Sequence, residues 1–106
     1  MSDTVYRRRF PAGRLLFNEG QAADAAYIIE TGAVEIFVEF AGERTRLAVL
    51  GPGEIFGEMA LVDDAPRSAA ARVLEDCEAV VIERGQIKRE LERATPLMQI
   101  LLRTLI

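Results

Sequence analysis

Residues 51–72 hold the side chains best suited to chemistry: Gly51-Pro-Gly-Glu-Ile-Phe-Gly-Glu-Met-Ala-Leu-Val-Asp-Asp-Ala-Pro-Arg-Ser-Ala-Ala-Ala-Arg72. Gly57 follows the aromatic Phe56 and opens a short helical pattern through Glu58, Met59, Ala60, Leu61 and Val62. A glycine before a helix start lets backbone approach a ligand closely and leaves free N–H groups directed at it. Asp63-Asp64-Ala65-Pro66 closes that helix with turn residues. Arg67 then lies on the return segment, across from the helix start, and the small residues Ser68, Ala69, Ala70 and Ala71 follow it. Backbone donors and a guanidinium fork together suit a phosphate, and small neighbours leave room for something bulky. A carboxylate at Glu58 would repel a phosphate unless its acceptors take a hydroxyl of the same ligand, such as a ribose. The set therefore asks for a sugar phosphate of modest charge. A triphosphate would need more cations and usually magnesium.

Other residue types narrow the chemistry further. The chain has no histidine, which removes histidine-based triads and most zinc sites. Ser68 thus has no base to activate it as a nucleophile. One cysteine, Cys77, excludes an internal disulfide and CxxC chemistry, fits a reducing compartment, and reads as a small core residue. Neither GxxxxGK[ST] nor GxGxxG before a helix occurs. Asp63 and Asp64 read as turn residues rather than metal ligands. Arg7, Arg8 and Arg9 alternate faces of a strand and read as a solvated edge with local ion pairs. These features favour binding over catalysis, and the chain is not expected to be an enzyme.

A length of 106 residues allows one domain, spanning residues 1–106. Half of the residues are hydrophobic and 28% are charged, the mix of an ordinary globular protein. The formal net charge of −4 argues against nucleic acid or an anionic membrane as partner. No apolar run approaches the ~20 residues that span a bilayer, and the polar start carries no signal-peptide pattern. A cytoplasmic location and no membrane insertion are expected.

Positioning falls to β-structure over the first three-quarters. Residues 33–40 alternate, with Val34, Ile36, Val38 and Phe40 expected inward, Glu35 and Glu39 outward, and Phe37 breaking the outer face. Ala41-Gly42-Glu43 turns the chain into a second strand over 44–50. Shorter strands are expected at 5–10, 14–17, 26–30, 69–74 and 77–84, punctuated by glycines. Such spacing suits a sandwich, barrel or jelly roll and is too short for helical crossovers. The last fifth changes period. Ile87, Leu91 and Ala94 lie at helical spacing, with Lys88 and Glu92 as an i,i+4 pair. Thr95-Pro96 then starts a second helix, Thr95 as cap and Pro96 in the first turn. Residues 96–106 are apolar nearly all round. Leu97, Ile100, Leu101 and Leu105 make one face, with Met98, Leu102 and Ile106 beside or beyond it. Such a helix is not expected to lie bare on a monomer.

Phe56-Gly57-Glu58-Met59-Ala60-Leu61 followed by Pro66-Arg67-Ser68-Ala69 closely resembles the phosphate-binding cassette of cyclic-nucleotide-binding domains. These occur in catabolite activator proteins, regulatory subunits of cyclic-AMP-dependent kinase and cyclic-nucleotide-gated channels. Phe10-Pro-Ala-Gly13, Phe17-Asn-Glu-Gly20 and Tyr27-Ile-Ile-Glu-Thr-Gly32 look like the family's opening strands and turn, so the likeness covers roughly residues 5–105. The resemblance implies a mainly β fold, an antiparallel double-stranded β-helix (jelly roll, β-roll) with a short phosphate-binding helix and C-terminal helices. It implies that Arg67 pairs with the cyclic phosphate, that Glu58 takes the ribose 2′-hydroxyl, and that backbone N–H groups around Gly57 to Ala60 and near Ser68 and Ala69 complete the cradle. Val49 or Leu50 would wall the base. Ser68 would bond either phosphate or a guanine, and cyclic AMP is favoured over cyclic GMP as ligand.

The chain departs from the family pattern at both ends. Strand-like sequence begins within the first few residues, where the family usually has helices, and the last helix stops at Ile106. A short base lid, or one supplied by another chain, is one expectation. A homodimer or partner-protein contact through residues 96–106 is the other. The competing functional reading is the same fold with a vestigial pocket, acting as an interaction or dimerisation module.

Overall fold

The computed structural model describes residues 5–105, and within them the side chains of 62, 87, 88, 91, 99 and 102–105 lie outside the description. The fold is mainly antiparallel β. Strands β1 (Val5–Phe10), β2 (Leu15–Phe17), β3 (Ala25–Phe40), β4 (Glu43–Leu50) and β5 (Ile55–Phe56) precede a short helix α1 (Glu58–Val62). Strand β6 (Ala70–Glu83) and helices α2 (Arg84–Arg93) and α3 (Pro96–Leu105) complete the order. The strands run β1-β6-β3-β4, with β2 added to β6 and β5 to β3, every pairing antiparallel.

Two pairs of short strands expected from the sequence are single long ones. Segments 26–30 and 33–40 merge in β3, and 69–74 and 77–84 merge in β6. The glycine read as a break is the reason the strands can continue. Gly32 has φ of 90°, and a Cβ there would stand 2.3 Å from the Asp76 carbonyl oxygen and 2.7 Å from Cys77 Cα. Two backbones pass each other at that point, and the β3–β6 register is irregular from Ile29 to Val34. Only a residue without a side chain allows that approach, so both strands bend without ending.

The interior is aromatic at its centre. Phe10, Phe17, Tyr27 and Phe56 are buried with Ile29, Val34, Val73, Cys77 and Val81. Tyr27 stacks on Phe56 at 5.0 Å between centroids and 14° between planes, and Phe17 lies 6.2 Å from each. A smaller cluster of Ala23, Ala26 and Leu61 seats α1 against the start of β3.

The alternation of residues 33–40 is real, but both faces are covered. Val34 is fully buried as expected, while Phe40 is 84% exposed at the hairpin end. Glu35 and Phe37, expected outside, are buried at 4% and 2% exposure. Arginines from neighbouring strands cause this. Arg46 and Arg44 approach the Glu35 carboxylate at 2.8 and 3.5 Å. The Arg44 guanidinium lies 4.3 Å from the Phe37 ring centre, with Arg72 at 5.5 Å. Long cationic side chains cover an outer face that single-strand alternation leaves to solvent. At the β1 edge, Arg7 pairs with Glu30 at 2.7 Å and Arg9 with Glu78 at 3.2 Å, in keeping with a solvated, locally paired edge.

Thr95 caps α3, its hydroxyl oxygen accepting from the Met98 N–H at 3.2 Å. The expected Ile87–Leu91 face, the Lys88–Glu92 pair and the side chains of Leu102, Leu105 and Ile106 fall outside the described residues. Among the described residues, no helix is long and apolar enough to cross a membrane.

Candidate functional site

Gly57 follows β5 and caps α1 with φ of 83°, the left-handed conformation that glycine adopts without strain. Its carbonyl accepts a hydrogen bond from Arg67 Nη1 at 2.6 Å, and Arg67 Nη2 donates to the Ala25 carbonyl at 2.5 Å. The backbone of Arg67 is tied as firmly. Its N–H donates to Gln21 O at 2.8 Å, and its carbonyl accepts from the Gly20 N–H at 2.7 Å. The loop before β3 therefore locks the return segment against the helix start. Arg67 is 3% exposed, so it is no loop arginine waving in solvent.

The guanidinium sits in a mixed field. Asp24 approaches Nη2 at 3.6 Å, but its side chain is 79% exposed and water screens it. The guanidinium carbon lies 4.0 Å from the centre of the Phe17 ring. Burial pushes the Arg67 pKa down, while Tyr27, Asp24 and Glu58 pull it back up. An arginine starts so high that it keeps its charge. Arg67 Nε is buried and has no hydrogen-bond partner. An unmet donor in so buried a position is costly.

Arg67 borders a cavity of about 200 Å³. Of the residues expected from the sequence, Phe56, Gly57, Glu58, Met59, Ala60, Arg67, Ser68 and Ala69 all line it. Glu58 is half-buried and near enough to influence the Arg67 charge, which suits a hydroxyl acceptor beside an anion site. Ser68 is exposed at the edge and Met59 is 53% exposed.

Val49 is the exception. It pairs with Glu35 across β3–β4, so it lies on the opposite face, 48% exposed. Leu50 pairs with Val34 and packs on the core cluster, on the same face as Ile36, so of the two residues offered as a base wall only Leu50 lies on the cavity side. The cavity's apolar wall also includes three residues not singled out as ligand contacts: Phe17, Ile36 and Ile55. The inward alternation of β3 already marked Ile36. Nothing local marks Phe17, which reaches the site only because β2 pairs with the far end of β6.

Asp63 and Asp64 lie in the turn after α1. Asp64 has φ of 57° and forms an ion pair with Arg84 at the head of α2. Arg84 also donates to Ala23 O at 3.2 Å through its side chain and to Asp24 O at 2.9 Å through its backbone. Among the described residues, no cluster of His, Cys, Asp or Glu could hold a metal ion.

Residues 7–94 match the family described as "Cyclic nucleotide-binding domain". The chain is 42% identical over 79 residues to the cyclic AMP receptor protein of Thermus thermophilus, covering 74% of this chain and 37% of that protein. It is 35% identical over 89 residues to the cAMP-dependent protein kinase regulatory subunit of Emericella nidulans, covering 84% of this chain and 21% of that one. Among solved structures, the cAMP-bound form of the EAL enzyme Bd1971 superposes with a TM-score of 0.86 at 40% identity, over 94% of this chain and 27% of that chain. Its cGMP-bound form gives 0.87 over the same shares at the same identity. The chain thus spans well under half the length of these relatives.

Proposed function

This chain belongs to the cyclic nucleotide-binding domain family, related to cyclic AMP receptor proteins and to the regulatory subunits of cAMP-dependent kinase, and we propose that it is a non-catalytic cytoplasmic regulatory module that binds a cyclic nucleotide, cyclic AMP in preference to cyclic GMP. One observation carries the reading: the Arg67 guanidinium is buried beside the cavity, Nη1 and Nη2 held by carbonyls and the nearby Asp24 carboxylate largely exposed. A phosphate in the cavity would balance that charge. Glu58 accepts the ribose 2′-hydroxyl, and the base lies along Ile36, Leu50 and Ile55. In finer terms the sheet is the β-roll of this family, and 58–62 is its phosphate-binding helix.

Output passes through the C-terminal helices in this reading. Arg84 connects the turn after α1, the segment 23–24 and the head of α2, so movement at the cavity has a route to α2 and α3. Leu97, Met98 and Leu101 of α3 are 65%, 47% and 42% exposed, an apolar surface suited to a second copy of the chain or a partner protein.

Calorimetric titration with cyclic AMP and cyclic GMP tests the core of the proposal. Saturable binding of cyclic AMP, weaker for cyclic GMP, is expected. No heat and no protection with either ligand would favour the interaction module with a vestigial pocket. Sedimentation across a concentration series, with Leu97→Glu as control, tests the role of α3.

A further inference from the structure

We infer that Phe17 is a positioning residue for the anion site, its ring face holding the Arg67 guanidinium in place beside the cavity. The inference rests on the reading of Arg67 as the phosphate ligand and names the group that orients it. The guanidinium carbon is 4.0 Å from the Phe17 centroid, closer than the Arg44–Phe37 contact at 4.3 Å or the Arg8–Phe10 contact at 5.2 Å. All guanidinium N–H bonds lie in one plane. The carbonyls of Gly57 and Ala25 fix two directions within that plane. A ring face 4.0 Å from the guanidinium carbon restrains it from a third side and consumes no donor. Attraction between a cation and a ring face strengthens when water is excluded, and both partners here are buried. Asp24, the nearby carboxylate, is too exposed to do the same.

Phe17 is itself held. It is 6% exposed and lies against Tyr27 and Phe56, which stack on each other. Its strand is irregular at this point: Leu15 pairs with Arg72, yet Phe17 pairs with Ala71. A register irregularity of this kind re-aims a side chain at the end of a short strand. An aliphatic residue would fill the space but would offer the guanidinium no negative face.

The test replaces Phe17 in the full chain by mono-, tri- and pentafluorophenylalanine, which weaken and then invert the ring's quadrupole with little change of shape. Phe17→Leu is the non-aromatic control. Three quantities are read: the Kd for cyclic AMP, the Kd for its uncharged phosphate methyl ester, and the solvent exchange of the Arg67 Nε–H by ¹⁵N NMR in the unliganded protein. Cyclic AMP affinity is expected to fall stepwise, by roughly tenfold across the series. The neutral ester should lose little, and Nε–H exchange should quicken at each step while the unfolding midpoint stays nearly constant. Equal losses for both ligands, or exchange that ignores fluorination, would make Phe17 a packing residue and overturn the inference. If the parent chain binds no cyclic nucleotide, the functional reading fails, and the exchange series in the unliganded protein still decides whether Phe17 positions Arg67.

Discussion

Arg67 Nη1 donates to the Gly57 carbonyl at 2.6 Å, and a Cβ on Gly57 would stand 2.8 Å from that same nitrogen. The helix start and the cation of the return segment are thus fitted to each other across ten residues of sequence. Gly57→Ala meets two penalties, a left-handed backbone and a collision with the guanidinium. It is expected to cost roughly 1–2 kcal/mol of stability from the backbone alone. It should also cost cyclic-nucleotide affinity, because the arginine must shift. Urea unfolding and calorimetry on one preparation check both. Unchanged affinity would mean that the position of Arg67 is not critical.

Arg67→Ala removes the proposed phosphate ligand and also takes from the carbonyls of Gly57 and Ala25 the guanidinium donors they accept. Folding is therefore expected to weaken by roughly 1–3 kcal/mol, and cyclic-nucleotide binding by at least the ~1.5–3 kcal/mol of a charged hydrogen bond. Arg67→Lys keeps a charge but loses the planar fork, and should recover stability better than affinity. A folded Arg67→Ala protein that binds as tightly as the parent would take Arg67 out of the site.

Glu58 lines the same cavity as Arg67 without belonging to the core clusters. Glu58→Ala is expected to leave the fold intact and to weaken cyclic AMP more than its 2′-deoxy analogue. The two ligands should then look nearly alike to the variant. Competition titrations measure the ratio, and a variant that still discriminates the 2′-hydroxyl as the parent does would refute the ribose assignment.

Gly32→Ala sets a methyl group against the Asp76 carbonyl at 2.3 Å, with φ of 90°. Backbone cannot yield there as a flexible side chain would, so the expected loss is roughly 2–5 kcal/mol from strain and overpacking together. Denaturant unfolding reads it directly. A variant as stable as the parent would show that β3 and β6 do not need this close crossing.

Burial raises the Cys77 thiol pKa. The folded state then holds its proton more tightly than the unfolded chain. Its contribution to stability is complete below the unfolded thiol's pKa of about 8.5 and is lost as pH rises through the higher folded value. A thiol reagent at pH 8 should modify the native protein slowly and the urea-unfolded chain at once. Fast modification of the native protein would place Cys77 at the surface.

Residue order alone identified what depends on near neighbours. Gly57, Glu58 and Arg67 lie within eleven residues, and one turn joins their segments, so the candidate anion cradle was legible from spacing and residue type. Thr95-Pro96 announced α3 in the same way, because a cap acts within one helical turn. The order of residues could not show whether Gly32 breaks a strand or lets two strands cross, since the answer depends on Asp76 and Cys77, more than forty residues away. Nor could it show that Glu35 and Phe37 are buried, because the arginines that cover them belong to β4 and β6. Val49 and Leu50 are adjacent in sequence, and the β3–β4 register alone decides which of them faces the cavity. Phe17 owes its place under Arg67 to the same kind of cause. A strand of three residues carries almost no pattern of its own, and its pairing with β6 brings the ring to the guanidinium. Sequence determined the chemistry of the cradle; long-range strand register, a property of the folded sheet alone, decided what surrounds it.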